Sequence, residues 1–299
     1  MVTEHLAARY TVVLYDRRGF SRSHLDGPQD YSRRLAADAD DVRHLIAHLG
    51  DEPATVFGAS SGAIVALTVL TRHPDAVSTL IPFEPPVMRY LPDGQKWIDV
   101  FAELYEMYRR TGTGPALEAF RDRTFPPSDR QIMAGAPRND ANAAHWFEHE
   151  LRQYPAAELD LDTLHTYADR IVPAAGRDGH GYPAHDVTLV LGQTLGRTVL
   201  ELPGGHTGPV SHPDGFARGL LTALEQTGTP LPTRRGTPQT TTPTATASTA
   251  TTPPTTTPTD TRIATTPATT TPTTATPTTT GPTSRASTQA TKRLTRRAR

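Results

Sequence analysis

The chain has 299 residues, no cysteine and a formal net charge of −1 at pH 7. Without cysteine it forms no disulfide, no thiol nucleophile and no cysteine-based metal site. It contains no run of about 20 apolar residues, which a membrane span requires. Its N-terminus also lacks the basic region and apolar core of a signal peptide. The sequence therefore predicts no membrane span and a cytoplasmic location.

The N-terminal segment predicts a helix, a strand and a charged loop. Residues 1–10 are typical of the end of a helix, and the apolar run at 11–15 predicts a strand that ends at Asp16. Asp16 and Arg17 are expected to order the following loop and not to take part in chemistry.

A serine between a predicted strand and a predicted helix is the strongest functional signal. The run Gly58-Ala59-Ser60-Ser61-Gly62 follows the apolar residues 54–57 and precedes the apolar residues 63–70. In that context G-x-S-x-G is a nucleophile elbow, a strained turn that exposes the serine hydroxyl at the end of the sheet. The glycines on either side are expected to avoid collisions with the strand and the helix. The Ser61 N–H, at the helix N-terminus, is the expected oxyanion donor.

A serine nucleophile needs a base and an acid, which follow it here in the order serine, acid, histidine. Strands predicted at 170–176 and 197–202 are followed by Asp178 and His206. Both side chains thus lie at the carboxyl edge of the sheet, where open α/β sheets bind ligands. Glu84 also follows a predicted strand and is the alternative acid, in which case Asp178 only closes a turn.

These segments together resemble the α/β-hydrolase family over about residues 1–226. The resemblance implies a mostly parallel sheet with helices on both faces, a triad of Ser60, His206 and Asp178, and no cofactor or metal. It rests on the elbow and on four further stretches: Asp16-Arg17-Arg18-Gly19-Phe20-Ser21 (with Ser21 where glycine is usual), Phe83-Glu84-Pro85-Pro86, Gly176-Arg177-Asp178 and Pro203-Gly204-Gly205-His206.

The same resemblance implies three strands ahead of residues 11–16 and a loop that donates a second oxyanion amide. The residues before position 11 do not supply them, so the expected fold is an N-terminally truncated α/β-hydrolase. The elbow strand is then expected to pair directly with the strand at 11–16, because an unfilled gap would leave backbone donors and acceptors unpaired.

Residues 87–168 predict a helical cap inserted into this fold. Helical spacing extends over 95–108, and shorter helices are expected at 115–122, 140–153 and 160–168. Within the third, His145-Trp146-Phe147-Glu148-His149 matches the zinc-peptidase pattern H-x-x-E-H. The alternative interpretation, which we favour, is a cap helix with Trp146 and Phe147 facing inward.

The C-terminal segment differs in composition from the rest, which divides the chain into a core at 1–228 and a tail at 229–299. Residues 231–299 carry nine Lys/Arg and one Asp, so this part has a net charge of +8 and the first 230 residues have −9. With few large apolar residues, the Thr/Pro-rich tail is predicted to be disordered. Its basic end has no aromatic residue, which argues against a specific nucleic-acid site.

The sequence therefore predicts a serine hydrolase that acts on a small-molecule acyl substrate, an ester, lactone or thioester, through an acyl-enzyme. The alternative is a catalytically inactive fragment of this fold, or a binding protein. Nothing in the sequence predicts an oligomeric state.

Overall fold

A parallel sheet lies at the centre of the structure, a computed structural model that describes residues 1–50 and 52–227. Within these residues the sheet has four strands in the order β1-β2-β3-β4, and each neighbouring pair is parallel. The predicted α/β fold with a mostly parallel sheet is confirmed. The strands are Ala54–Ala59 (β1), Val77–Phe83 (β2), Ala174–Gly176 (β3) and Leu200–Leu202 (β4).

Helices alternate with the strands and account for most of the described residues. The regular structure between β2 and β3 consists of helices only, as the spacing of its apolar residues predicts. The α-helices within the described residues are Val2–Ala7 (α1), Arg34–Leu49 (α2), Ser61–Arg72 (α3), Gly94–Thr111 (α4), Thr113–Thr124 (α5), Pro127–Gly135 (α6), Asp140–His149 (α7), Leu161–Thr166 (α8), Pro183–Thr194 (α9), Gly208–Ser211 (α10) and Pro213–Gln226 (α11).

Two apolar clusters cover opposite faces of the sheet. Leu80 of β2 packs in one cluster with Ile64 of α3 and Phe101 of α4. Its neighbour Ile81 packs in the other with Phe216 of α11. Because successive side chains of a strand point to opposite faces, β2 is covered on both sides, as expected for a central parallel strand.

The segment at 11–16 differs from its prediction. Residues 11–17 form no strand, and the sheet neighbour of β1 in the described part of the chain is β2 alone. Leu14 is 76% exposed and Phe57 of β1 is 41% exposed. The expected pairing of the elbow strand with residues 11–16 is therefore wrong. Apolar periodicity signals a strand, but the strand forms only where a partner's backbone lies within hydrogen-bonding distance.

One helix of the insertion has no sequence prediction. Helix α6 begins at Pro127 and lies between the helices predicted at 115–122 and 140–153. None of the helices in the described residues is long and apolar enough to cross a membrane. The predicted Thr/Pro-rich tail lies outside the described residues.

Candidate active site

Ser60 lies at the sharp turn between β1 and α3. Its backbone has φ +54° and ψ −127°, a region that non-glycine residues rarely adopt, and its N–H donates to the Phe83 carbonyl at 3.0 Å. A Cβ added at Gly58 would lie 2.3 Å from the Gly62 carbonyl oxygen, so glycine is required there. A Cβ at Gly62 would meet nothing within 4 Å, which corrects the expectation that both flanking glycines avoid a collision.

His206 forms a short hydrogen bond to Glu84. Its Nδ1 lies 2.6 Å from Glu84 Oε2, and the second carboxylate oxygen accepts the Gly176 N–H at 2.9 Å. Both side chains are nearly buried, with 2% of Glu84 and 10% of His206 exposed. A carboxylate at Nδ1 requires the proton on that nitrogen and leaves Nε2 as the free base.

Strand register explains why Glu84 lies near the serine. Ala59 of β1 pairs with Phe83 of β2, so Ser60 and Glu84 each follow a paired residue on neighbouring parallel strands. Glu84 also has a positive φ, +46°. Three non-glycine residues of the described chain have a positive φ, and Ser60 and Glu84 are two of them. Backbone strain of this kind clusters at functional sites.

Asp178 is not brought to His206, which corrects the placement expected for the acid. It lies in the turn Arg177–Gly179, and its side chain is exposed. Its backbone N–H donates to the Gly204 carbonyl at 3.0 Å, while its carboxylate has no hydrogen bond or ion pair to any described residue. Asp178 therefore closes the turn against the histidine loop, and the alternative acid, Glu84, takes the contact with the imidazole.

Comparison with known proteins decides the family. Residues 2–160 match the sequence profile described as alpha/beta hydrolase fold. The uncharacterized hydrolase YraK of Bacillus subtilis (strain 168) is 32% identical over 231 residues, which cover 75% of this chain and 83% of the relative. The chain belongs to the α/β-hydrolase fold family. The predictions of this family and of a hydrolase are confirmed.

Solved α/β-hydrolase structures agree with this assignment at the level of the fold. A thermophilic esterase from Thermogutta terrifontis superposes with a TM-score of 0.57 at 22% identity, over 76% of this chain and 84% of that chain. An enol-lactonase from Burkholderia xenovorans LB400 gives a TM-score of 0.50 at 18% identity, over 71% and 79% of the two chains. At these identities the likeness shows the fold and not the substrate.

A buried aspartate on the helical insertion holds the histidine loop of this α/β-hydrolase. Asp129, in the first turn of α6, is 1% exposed. Its Oδ2 accepts the His206 N–H at 2.8 Å, and its Oδ1 accepts the Thr207 N–H at 2.9 Å and the Thr207 hydroxyl. A Cβ at Gly205 would lie 2.3 Å from Oδ2, so the approach depends on glycine.

Sequence reasoning missed Asp129 and also Phe125, whose ring centroid lies 4.7 Å from that of His206. Both come from the insertion, more than 75 residues before the histidine in the chain. The Gly204-Gly205 pair marks a close approach at the histidine loop, but no local pattern identifies the residue that approaches it.

The H-x-x-E-H pattern does not assemble a metal site. Arg34 Nη1 lies 2.7 Å from His145 Nε2, and the His149 ring stacks on Tyr31 with 3.5 Å between centroids. Glu148 accepts from Tyr105 Oη at 3.0 Å and from Arg109. A guanidinium bound to the ligand nitrogen excludes a cation there, because both are positive. These residues pack α7 against its neighbours.

Proposed function

We propose that this α/β-hydrolase is a serine hydrolase with the triad Ser60, His206 and Glu84, acting on small carboxylic esters, lactones or thioesters. The observation that carries the proposal is the strained serine, which lies one strand from Glu84, whose carboxylate already orients the nearly buried His206 imidazole. Asp178, the acid favoured by the sequence, has no part in the reaction. A serine with a paired histidine base is the arrangement that acyl transfer requires.

In the proposed reaction Ser60 Oγ attacks the acyl carbonyl carbon while His206 Nε2 takes the hydroxyl proton. The Ser61 N–H stabilises the oxyanion, because the first N–H groups of a helix have no acceptor within the helix. His206 then gives its proton to the leaving oxygen or sulfur, and the acyl-enzyme forms. A water molecule, deprotonated by the same imidazole, attacks the acyl carbon; the bond to Ser60 Oγ then breaks, and the imidazolium returns the proton to Ser60 Oγ as the acid leaves. Glu84 stabilises the imidazolium in both halves.

Ser60 Oγ forms no hydrogen bond to His206 among the described residues. Catalytic hydrogen bonds are often long in a substrate-free site and shorten in the Michaelis complex. Phe83 and Phe125 flank the imidazole, with Phe83 at 6.3 Å between ring centroids, so the base works in a largely apolar environment. Such surroundings exclude water and strengthen the hydrogen bond to Glu84.

A fluorophosphonate probe tests the nucleophile directly. The full chain is expected to gain one adduct, on Ser60, by intact-mass and peptide analysis, and Ser60→Ala is expected to gain none. Ser61→Ala is the matched control: it removes the neighbouring hydroxyl but keeps the amide, so it is expected to retain the adduct. His206→Ala should label at least about 10²-fold more slowly, since it removes the base.

Hydrolysis of a short-chain p-nitrophenyl ester measures turnover in the same set of variants. Absence of both adduct and turnover in a folded chain would refute the proposal and favour an inactive member of the family or a binding protein. An adduct on a residue other than Ser60 would also refute it.

A further inference from the structure

Two histidines and a glutamate form a compact cluster next to the candidate active site. His180 follows the turn after β3, His185 lies in the first turn of α9, and Glu201 is the middle residue of β4. One nitrogen or oxygen from each side chain lies within 4.8 Å of the other two. The proposed hydrolysis uses none of these side chains.

His185 carries a buried nitrogen without a partner. Its side chain is fully buried, and Nε2 has no hydrogen-bond partner among the described residues. Nε2 faces Glu201 Oε1 at 3.4 Å without the alignment of a hydrogen bond, and Glu201 Oε2 is buried and unpartnered in the same way. Native proteins rarely leave such atoms unsatisfied, and an ion bound between them is one of the few ways to satisfy both.

The surroundings of His185 favour the tautomer that binds a metal. Its Nδ1 lies 3.4 Å from Asp186 Oδ1, which also accepts the Gly181 N–H at 3.2 Å. With the proton on Nδ1, the lone pair of Nε2 points toward Glu201. Metal-bound histidines commonly donate their other N–H to a carboxylate in this way. Arg177 donates to the Glu201 main-chain carbonyl and forms no ion pair with the Glu201 carboxylate in the described structure.

The distances fit a zinc ion. Zinc binds imidazole nitrogen and carboxylate oxygen at about 2.0–2.2 Å, so two ligand atoms of a tetrahedral site lie about 3.4 Å apart. The 3.4 Å between His185 Nε2 and Glu201 Oε1 already matches. His180 Nε2 is 4.0 Å from Glu201 Oε2, and its side chain is 65% exposed, so it has room to move inward and leaves a path for the ion.

We propose that His180, His185 and Glu201 bind one zinc ion, which joins the loop after β3 and the start of α9 to β4. Two imidazoles and one carboxylate suit zinc, and water would complete the tetrahedron. The site lies directly behind the triad. A Cβ at Gly179 would lie 3.0 Å from Glu84 Oε1 and 3.2 Å from His185 Cβ, and Glu201 precedes His206 by five residues. The ion therefore braces the loop that packs against Glu84 and the strand that leads to His206.

Zinc titration of the full chain tests the site independently of catalysis. Protein purified without a histidine tag and dialysed against a chelator is titrated with zinc in the presence of a chromophoric competitor. One zinc per chain and a rise in thermal midpoint are expected. Two variants, His180→Ala and Glu201→Gln, each remove a direct ligand and should weaken zinc binding on the order of tenfold or more. His180 is exposed, so its replacement is not expected to disturb folding.

His149→Gln is the matched control because it removes one member of the other close histidine pair, His145 and His149, whose ring centroids are 4.7 Å apart. It should bind zinc as the natural chain does, and so should Ser60→Ala. The proposal is overturned if the folded natural chain binds no zinc, if His180→Ala and Glu201→Gln bind it with unchanged affinity, or if His149→Gln abolishes binding.

Discussion

At the scale of single residues, two carboxylates compete for the role of the triad acid. Sequence spacing favours Asp178, which follows the strand expected to carry the acid. The side chain that reaches His206 belongs instead to Glu84, one strand closer to Ser60, at 2.6 Å. The longer glutamate side chain spans the extra distance, and its second oxygen is held by the Gly176 N–H.

Glu84→Gln is expected to lower kcat/KM for a small ester by about 10³-fold or more, because an amide at this position no longer stabilises the imidazolium and can favour the wrong tautomer. Asp178→Asn is the matched control and should stay within about threefold of the natural chain, since its carboxylate is exposed and unpaired in the described structure. Steady-state kinetics on both variants decide whether Glu84 or Asp178 is the acid. A larger loss in Asp178→Asn than in Glu84→Gln would reverse the assignment.

At the scale of elements, the helical insertion holds the loop of the proposed base, His206. Helix α6 presents Asp129 to two consecutive backbone N–H groups of the histidine loop. The insertion therefore supports the loop that carries the proposed base. A carboxylate is needed because every partner is a donor, and hydrogen bonds to charged groups contribute about 1.5–3 kcal/mol each.

Asp129→Asn replaces one of these acceptors with a donor, which then faces an N–H. We expect kcat to fall by about 10–100-fold with KM nearly unchanged, because the base is misplaced while the remainder of the site stays intact. Asp122→Asn on α5 is the control, since Asp122 is exposed and pairs only with Arg130 among the described residues. A change confined to thermal stability, with normal kcat, would show that Asp129 is structural only.

The contact between α7 and α2 predicts a pH dependence. Burial, followed by the nearby positive charge of Arg34, lowers the pKa of His145 from 6.5 to about 4. His149, Asp38 and Arg17 also face this imidazole. Between pH 6.5 and 4 the unfolded chain binds more protons at this position than the folded chain does, so stability falls as the pH is lowered through this window.

Replacing the imidazole removes that contribution. The free energy of unfolding of His145→Gln should therefore depend less steeply on pH between 6.5 and 4 than that of the natural chain. The comparison requires urea denaturation at several pH values, with His24→Gln at an exposed position as the control. Equal slopes in all three proteins would contradict the role given to His145.

At the scale of the whole molecule, a buried ion network joins segments that are distant in the chain. It links the loop after residue 16, helix α2 and the residue that follows α7. Glu150 accepts from Arg17 at 2.8 Å and from Arg34 at 3.2 Å, and Asp38 accepts from both arginines and from the Tyr154 hydroxyl. The prediction that Arg17 orders its loop agrees with this arrangement.

Glu150→Ala is expected to destabilise the fold by about 3–5 kcal/mol, since it leaves the two guanidinium groups with only the Asp38 carboxylate to balance their charge. Glu103→Ala breaks the exposed pair with Arg123 and should cost no more than about 1 kcal/mol. Chemical denaturation of the two variants measures both values. If the two variants lose similar free energies of unfolding, burial does not make the contribution of Glu150 larger than that of an exposed ion pair.

The sequence by itself determined the features that depend on neighbours along the chain. The elbow around Ser60, the parallel sheet, the helical insertion and the histidine at a strand end all follow from local periodicity, glycine placement and motif order. These signals are short-range: a turn of five residues or the apolar stripe of one helix is readable without knowing what packs against it.

Only the tertiary structure decided the features that depend on distance in space. It placed Glu84, and not Asp178, in contact with His206, and it brought Asp129 to the His206 loop across 77 positions of the chain. It also left residues 11–16 without a strand partner. Each outcome depends on which backbone or side chain lies within hydrogen-bonding reach, and packing of distant segments determines that reach.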